Sequence, residues 1–290
     1  MTDAPALRAR AEAAAAPLPA LLAAAERLAN ATLGGEHGRK RAGSGDSFWQ
    51  YRMAQHQDPA NRIDWRRSAR SDQNYVQDKE WQIAQSVMFW VDRSAAMQFA
   101  SDKSLPTKAD RAALLALACA ILLDRGGERV GLCGADLPVR RGGGQLQAMA
   151  AQLLRADHSD YGMPQALGLT KNGQAVFVSD FLGDLGDLEA ALAEATAKGV
   201  SGVLLQILDP QEESFPFDGR TIFESMSGGI THQTRKAADL RDRYLQRLAA
   251  HKDQLHALAR ASGWQALIHH TDQPATQALL QLYHAVERPR

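Results

Sequence analysis

From Ser86 onward the chain alternates short, unbroken apolar runs with longer stretches of helical periodicity. The apolar runs cover 87–92, 129–133, 175–180, 202–208 and 264–269, and the helical patterns cover 108–124, 145–155, 185–198, 237–262 and 274–286. A strand that faces solvent on one side alternates apolar and polar residues, whereas one covered on both faces does not. Each helix between two such strands supplies that cover. The pattern predicts a doubly wound α/β fold around a mostly parallel sheet.

Two shorter patterns depart from this repeat. Residues 137–140 read as a short extension ending in a flexible turn at Gly142, Gly143 and Gly144, and 217–223 read as a hairpin about Asp218-Gly219, inserted beyond the strand that ends at Leu208. Before Ser86 the pattern is weaker. Leu18, Leu21, Leu22, Ala25 and Leu28 recur at helical spacing after Pro17 and Pro19, which predicts a helix over about 18–30. Glycines 34, 35, 38, 43 and 45 then exclude a continuous helix. The predicted organisation is a helical N-terminal arm over 1–33, an arginine-rich, strand-containing segment over 34–84 packed on the main domain, and the main α/β domain over 85–290.

Composition narrows the function classes. A chain of 290 residues with 45% hydrophobic and 23% charged residues is an ordinary globular protein. Its 33 basic and 33 acidic residues leave no global charge to recruit nucleic acid or an anionic membrane. Cys119 and Cys133 sit in apolar settings and read as small buried hydrophobes. No apolar run approaches the ~18 residues of a membrane span, and the opening residues lack the order of a secretory signal, so a cytoplasmic protein is expected.

Ligands of open α/β sheets bind outside the carboxyl ends of the strands, where the strand order reverses. That edge would receive Asp92, Ser94, Asp136, Ser179, Asp180, Asp209, Thr271 and Asp272. Carboxylates and hydroxyls are the hard oxygen ligands of magnesium, and they are equally the residues that cap helices. His269-His270 with Asp272 reads as packing plus exposure, because an ion needs further ligands. Gly142-Gly143-Gly144 lacks the Lys-Ser/Thr ending of a phosphate loop and reads as a hinge, and no motif names a nucleophile. Between Glu36 and Arg70 eight Arg/Lys meet four Asp/Glu. There the alternation of Asp58 and Asp64 with Arg62 and Arg66 points to internal ion pairs, partly exposed for a partner, rather than to a nucleic-acid patch.

Several motifs together carry a resemblance: Gly43-Ser44-Gly45-Asp46-Ser47-Phe48, Asn61-Arg62-Ile63-Asp64-Trp65, Ser68-Ala69-Arg70, Val91-Asp92-Arg93-Ser94 with Met97, Ser179-Asp180 and Thr271-Asp272-Gln273-Pro274. In these the chain resembles domain-of-unknown-function family 58, bacterial proteins with a von Willebrand factor A-like fold, from about Gly34 to Val286. The resemblance implies a six-stranded sheet and a metal-ion-dependent adhesion site written Asp-x-Ser-x-Ser, completed by a Thr and an Asp from later loops. Asp92 and Ser94 match the first two positions, Asp180 fits the later Asp, and Ser159 substitutes for the Thr. Ala96 stands where the second Ser belongs, so a Mg²⁺ ion would need a water in its place, or the site is without metal.

The family's common association with MoxR-type AAA+ ATPases implies such an ATPase, or its client, as partner. The resulting expectation is a non-enzymatic interaction module that binds its partner at the carboxyl edge of the sheet. In it Asp92, Ser94, Asp180 and Ser159 form a degenerate metal site, and Arg93, Arg62, Asp64, Arg66 and Arg70 are partner-binding. A metal-dependent hydrolase using the same carboxylates is the alternative, with a nucleic-acid binder through Arg39, Lys40, Arg41, Arg66 and Arg67 behind it.

Overall fold

Val87, Phe89 and Val91 of one strand point into one apolar cluster, and the intervening Met88 and Trp90 point into another. This period of two, with apolar residues at both phases, places a sheet between two apolar clusters, covered on both faces. The computed structural model describes residues 17–33, 47–55, 63–69, 73–80, 85–135, 137–155, 157, 159–164, 166–224, 231–234, 236 and 238–287. The chain forms two compact units, Gly35–Ala84 and the remainder.

In the larger unit the strands are β3 (Ser86–Val91), β4 (Arg129–Leu132), β5 (Leu137–Arg140), β6 (Gln174–Ser179), β7 (Ser201–Leu208) and β10 (Gln265–His270). Their order across the sheet is β10-β7-β6-β3-β4-β5, parallel throughout except for β5, which runs antiparallel to β4 at the edge. Pro138 within β5 is tolerated because an edge strand has one side without ladder bonds. After β3 the chain builds outward through β4 and β5, then returns to place β6 on the other side of β3. The strand order therefore reverses between β3 and β6.

One face is covered by α1 (Pro17–Leu33), α3 (Lys108–Arg125), α4 (Gly143–Leu153) and α8 (Ala275–Glu287), whose buried residues join Val87, Phe89, Val176, Val178, Val203 and Leu205. The other is covered by α5 (Gly186–Ala197) and α7 (Ala238–Ala261), which pack on Met88, Trp90, Ala175, Phe177 and Leu204. Each fully buried side chain of this size contributes roughly 1.5–3 kcal/mol. The fold is the α/β class with a mostly parallel sheet that the apolar pattern predicts.

Three local expectations are corrected. The helix predicted as an appended arm belongs to the larger unit: Ala25 and Ala29 of α1 are wholly buried in the main core, where small side chains let α1 approach α3 and α8 closely. Gly142 to Gly144 are not a hinge. Gly142, at φ 97°, is the N-cap of α4, a left-handed conformation that glycine adopts without strain. Asp218-Gly219 precedes β8 (Thr221–Glu224) instead of turning the hairpin, and β8 pairs with β9 (Thr231–Thr234) further along.

In the smaller unit β1 (Ser47–Met53) pairs antiparallel with β2 (Tyr75–Glu80), and a short helix α2 (Trp65–Ser68) precedes β2. Among the described residues no helix is long and apolar enough to cross a membrane.

Candidate functional site

At the point of reversal, β3 delivers Asp92 and β6 delivers Ser179 and Asp180, and all three line one cleft with Tyr161, Gly162 and Gly183. Asp92 is buried. Its Oδ1 accepts from the Ser94 amide at 2.8 Å and its Oδ2 from the Ser179 hydroxyl at 2.7 Å. The loop around 160 closes over this carboxylate, since a Cβ at Gly162 would lie 2.3 Å from Asp92 Oδ1. The same loop pairs through its backbone with the turn after Ser94: the Ser159 carbonyl accepts from the Ala95 amide at 2.9 Å and the Asp160 carbonyl from the Ala96 amide at 3.1 Å. Ser159 is thus brought to the Asp92 loop as the sequence suggests, but by its carbonyl, while its side chain belongs to an exposed residue.

Asp180 has a different partner. Lys108, the first residue of α3, is 1% exposed, and its Nζ donates to Asp180 Oδ2 at 2.7 Å and to Glu212 Oε1 at 2.5 Å. Asp180 Oδ1 accepts from the Leu182 amide at 3.0 Å. Glu212 lies in α6 (Pro210–Ser214), where its Oε2 accepts from the Asp209 amide at 2.8 Å and completes a capping box with Asp209. Burial pulls the Lys108 ammonium down, yet Asp180 and Glu212 outweigh it and the net shift is upward, which keeps the group charged. Partial burial also pushes the Glu212 carboxyl up, and the Lys108 ammonium it shares with Asp180 does not offset that.

Sequence reasoning misses Lys108 and Glu212. The available signal is Lys108 itself, a cation at the first position of a helix whose N-terminal dipole disfavours it, directly after the Thr107 cap.

These contacts test the magnesium site that the resemblance implies. In its favour, Ser94 Oγ is fully buried and has no hydrogen-bond partner among the described residues. Against it, Ala96 offers no oxygen, both Asp92 oxygens are already hydrogen-bonded, and Asp180 is paired with an ammonium 2.7 Å away. A divalent ion ~4 Å from that ammonium would meet repulsion on the order of 8 kcal/mol at an effective dielectric of about 20. Among the described residues no group of three or more His, Cys, Asp or Glu could hold a metal. The donor set does not fit Mg²⁺.

The other sequence candidates separate. Arg93 does not face the cleft as a free cation: its Nη1 donates to the Gln152 and Arg155 carbonyls at 2.5 and 3.3 Å, which ties β3 to the end of α4. Asp209 is a cap and a tie, accepting from the Gln211 and Ser101 amides, both at 2.9 Å. His269 packs against Arg111 at 3.1 Å, and His270 pairs with Glu213 at 2.8 Å, so the two do not converge on one ion. Because Arg111 can only donate, His269 Nε2 is the acceptor. Burial, then the charges of Arg111 and His270, hold the His269 pKa down to about 4. Cys119 and Cys133 are buried, and burial pushes the Cys133 thiol up to about 12.

In the smaller unit Asp64 caps α2, accepting from the Arg66 and Arg67 amides at 3.1 and 3.0 Å. Ser68 Oγ donates to the Asp64 carbonyl at 2.8 Å and accepts from the Tyr75 amide at 2.8 Å, and the Arg67 guanidinium lies 5.4 Å from the centre of the Tyr75 ring. Arg66 is exposed. Arg62 and Arg70 lie outside the described residues, as do Asp58, Asp136, Arg39, Lys40 and Arg41.

Known proteins resemble this chain at several levels. The uncharacterized protein Mb1516 of Mycobacterium bovis and the uncharacterized protein Rv1480 of Mycobacterium tuberculosis are each 25% identical to it over 255 residues, covering 83% of this chain and 79% of the relative. Among solved structures, the conserved hypothetical protein BatB from Bacteroides thetaiotaomicron is 17% identical over 70% of this chain and 99% of its own, with a TM-score of 0.43. The family described as "Protein of unknown function DUF58" matches residues 50–254, well over half of the chain, and the protein belongs to that family.

Proposed function

We propose that the larger unit is a von Willebrand factor A-like interaction domain that docks a protein partner on the carboxyl edge of its sheet. The observation that carries this reading is the surface around the Asp92/Asp180 cleft. Tyr161, which lines the cleft, and Met163, between the cleft-lining Gly162 and Pro164, stand 45% and 65% exposed. Large apolar side chains grouped beside a polar cleft mark a surface that another protein covers. Asp157, Asp160 and Asp184 are exposed in the same region, so the complementary surface is apolar and basic. Strand order, with an antiparallel strand at one edge and Asp-x-Ser at the end of β3, supports the domain type.

The partner proposed is a cytoplasmic AAA+ ATPase of the MoxR type, with this chain as its adaptor and not as an enzyme. The test is biolayer interferometry between the purified chain and the MoxR-type ATPase of the same organism, with and without ATP. The expected result is binding that weakens as salt rises and falls at least ~10-fold in Met163→Glu, a variant whose exposed position leaves the melting temperature unchanged. Binding unaffected by this variant, or no binding in either nucleotide state, overturns the proposal.

A further inference from the structure

The edge of this sheet is built like a cation site, and the cation it holds is part of the chain. Lys108 Nζ is within hydrogen-bonding distance of two carboxylates, Asp180 after β6, at the reversal point where the resemblance implies an ion, and Glu212 in α6, after the neighbouring β7. We propose that the Lys108 ammonium occupies the electrostatic role of a divalent ion at this edge, so that the domain is assembled without metal and is closed to Mg²⁺.

Three observations converge on this assignment. Lys108 is 1% exposed, and so deep an ammonium is retained only where fixed anions compensate it. Its two anions are themselves fixed from behind: the Leu182 amide holds Asp180 and the Asp209 amide holds Glu212, which leaves each one oxygen for the ammonium. The side-chain oxygen a metal would need at position 96 is missing, while Ser94 Oγ lies buried without a hydrogen-bond partner among the described residues. The chain thus lacks one hydroxyl ligand and carries an ammonium that neutralises a second candidate ligand.

The two departures make separable predictions. Restoring only the hydroxyl, in Ala96→Ser, leaves Lys108 paired with Asp180 and leaves the site closed. Restoring it while removing the ammonium, in Ala96→Ser/Lys108→Ala, frees Asp180 and Glu212 and supplies the second hydroxyl. The charge of the edge is set by the chain itself, whichever partner docks there.

The experiment is a titration of the full chain with Mg²⁺ and Mn²⁺, read by thermal shift and by the electron paramagnetic resonance signal of free Mn²⁺. The wild type and Ala96→Ser are expected to show no saturable rise in melting temperature and no loss of free Mn²⁺ signal. The double variant is expected to show both, because a ligand that binds only the folded form raises apparent stability. Saturable binding by the wild type that Asp92→Asn abolishes would overturn the inference. So would binding by Ala96→Ser alone, which would make the missing hydroxyl the whole cause, or a well-folded double variant that ignores both ions. The first two arms read out without any change at Lys108, so an unfolded double variant does not remove the test.

Discussion

Replacing Lys108 by methionine removes a charge while keeping most of the side-chain volume, and the contacts set the size of the effect. Asp180 and Glu212 would each lose an ammonium partner at 2.7 and 2.5 Å in a site where Lys108 and Asp180 are almost fully buried. Breaking a buried ion pair by deleting one partner costs about 3–5 kcal/mol, because the remaining charge stays desolvated. The retained Leu182 and Asp209 amide bonds place this case toward the lower end, at about 3 kcal/mol. At this chain length that is roughly a 5 °C fall in melting temperature.

Burial already raises the Glu212 carboxyl, and without the ammonium it would stand further above its unfolded value, so the deficit is full at neutral pH and shrinks as pH falls and Glu212 protonates. Urea denaturation at pH 7 and pH 5, followed by tryptophan fluorescence, measures both quantities. Lys108→Met/Asp180→Asn should recover about 1–2 kcal/mol relative to the sum of the single changes. A deficit below about 1 kcal/mol, a deficit that grows on acidification, or strict additivity would refute the assignment of Lys108 as the charge that holds this edge together.

Two further perturbations probe neighbouring features. Gly162→Ala places a Cβ 2.3 Å from Asp92 Oδ1, a carboxylate that Ser94 and Ser179 prevent from moving freely, and should cost about 2–4 kcal/mol in thermal unfolding; a loss under about 0.5 kcal/mol would show that the loop yields. His269 has a folded pKa of about 4 against 6.5, so the unfolded chain takes up the proton first as pH falls. Its contribution is full above pH 6.5 and is lost between about 6.5 and 4, on the order of 2 kcal/mol after allowance for solvent screening, and His269→Gln should show a correspondingly shallower decline of stability across that window.

The central strands were legible because a strand buried on both faces must be apolar at every position, and that requirement is written directly into Val87 to Val91 and Ala175 to Val178. Asp92 and Asp180 were legible as edge residues for the same reason, since each follows such a run. The Asp218-Gly219 turn was misplaced because that dipeptide permits a turn without requiring a hairpin there. The role of α1 was hidden because Ala25 and Ala29 carry little apolar signal, yet their small size is what allows close helix packing. The sequence points to Arg93 as partner-binding because its acceptors, two backbone carbonyls near the end of α4, are invisible in a string of side chains.

By itself the sequence determined the α/β class, the positions of the parallel strands, and the placing of Asp92, Ser94 and Asp180 at one edge, all of which follow from local periodicity and a general rule of sheet topology. Tertiary structure alone decided the charge state of that edge. Lys108 lies 72 residues from Asp180 and 104 from Glu212, and its unfavourable place at a helix start marks it locally without naming either partner. Only when α3 packs on the sheet does its ammonium leave water, and a desolvated charge must find its counter-ions in the fold.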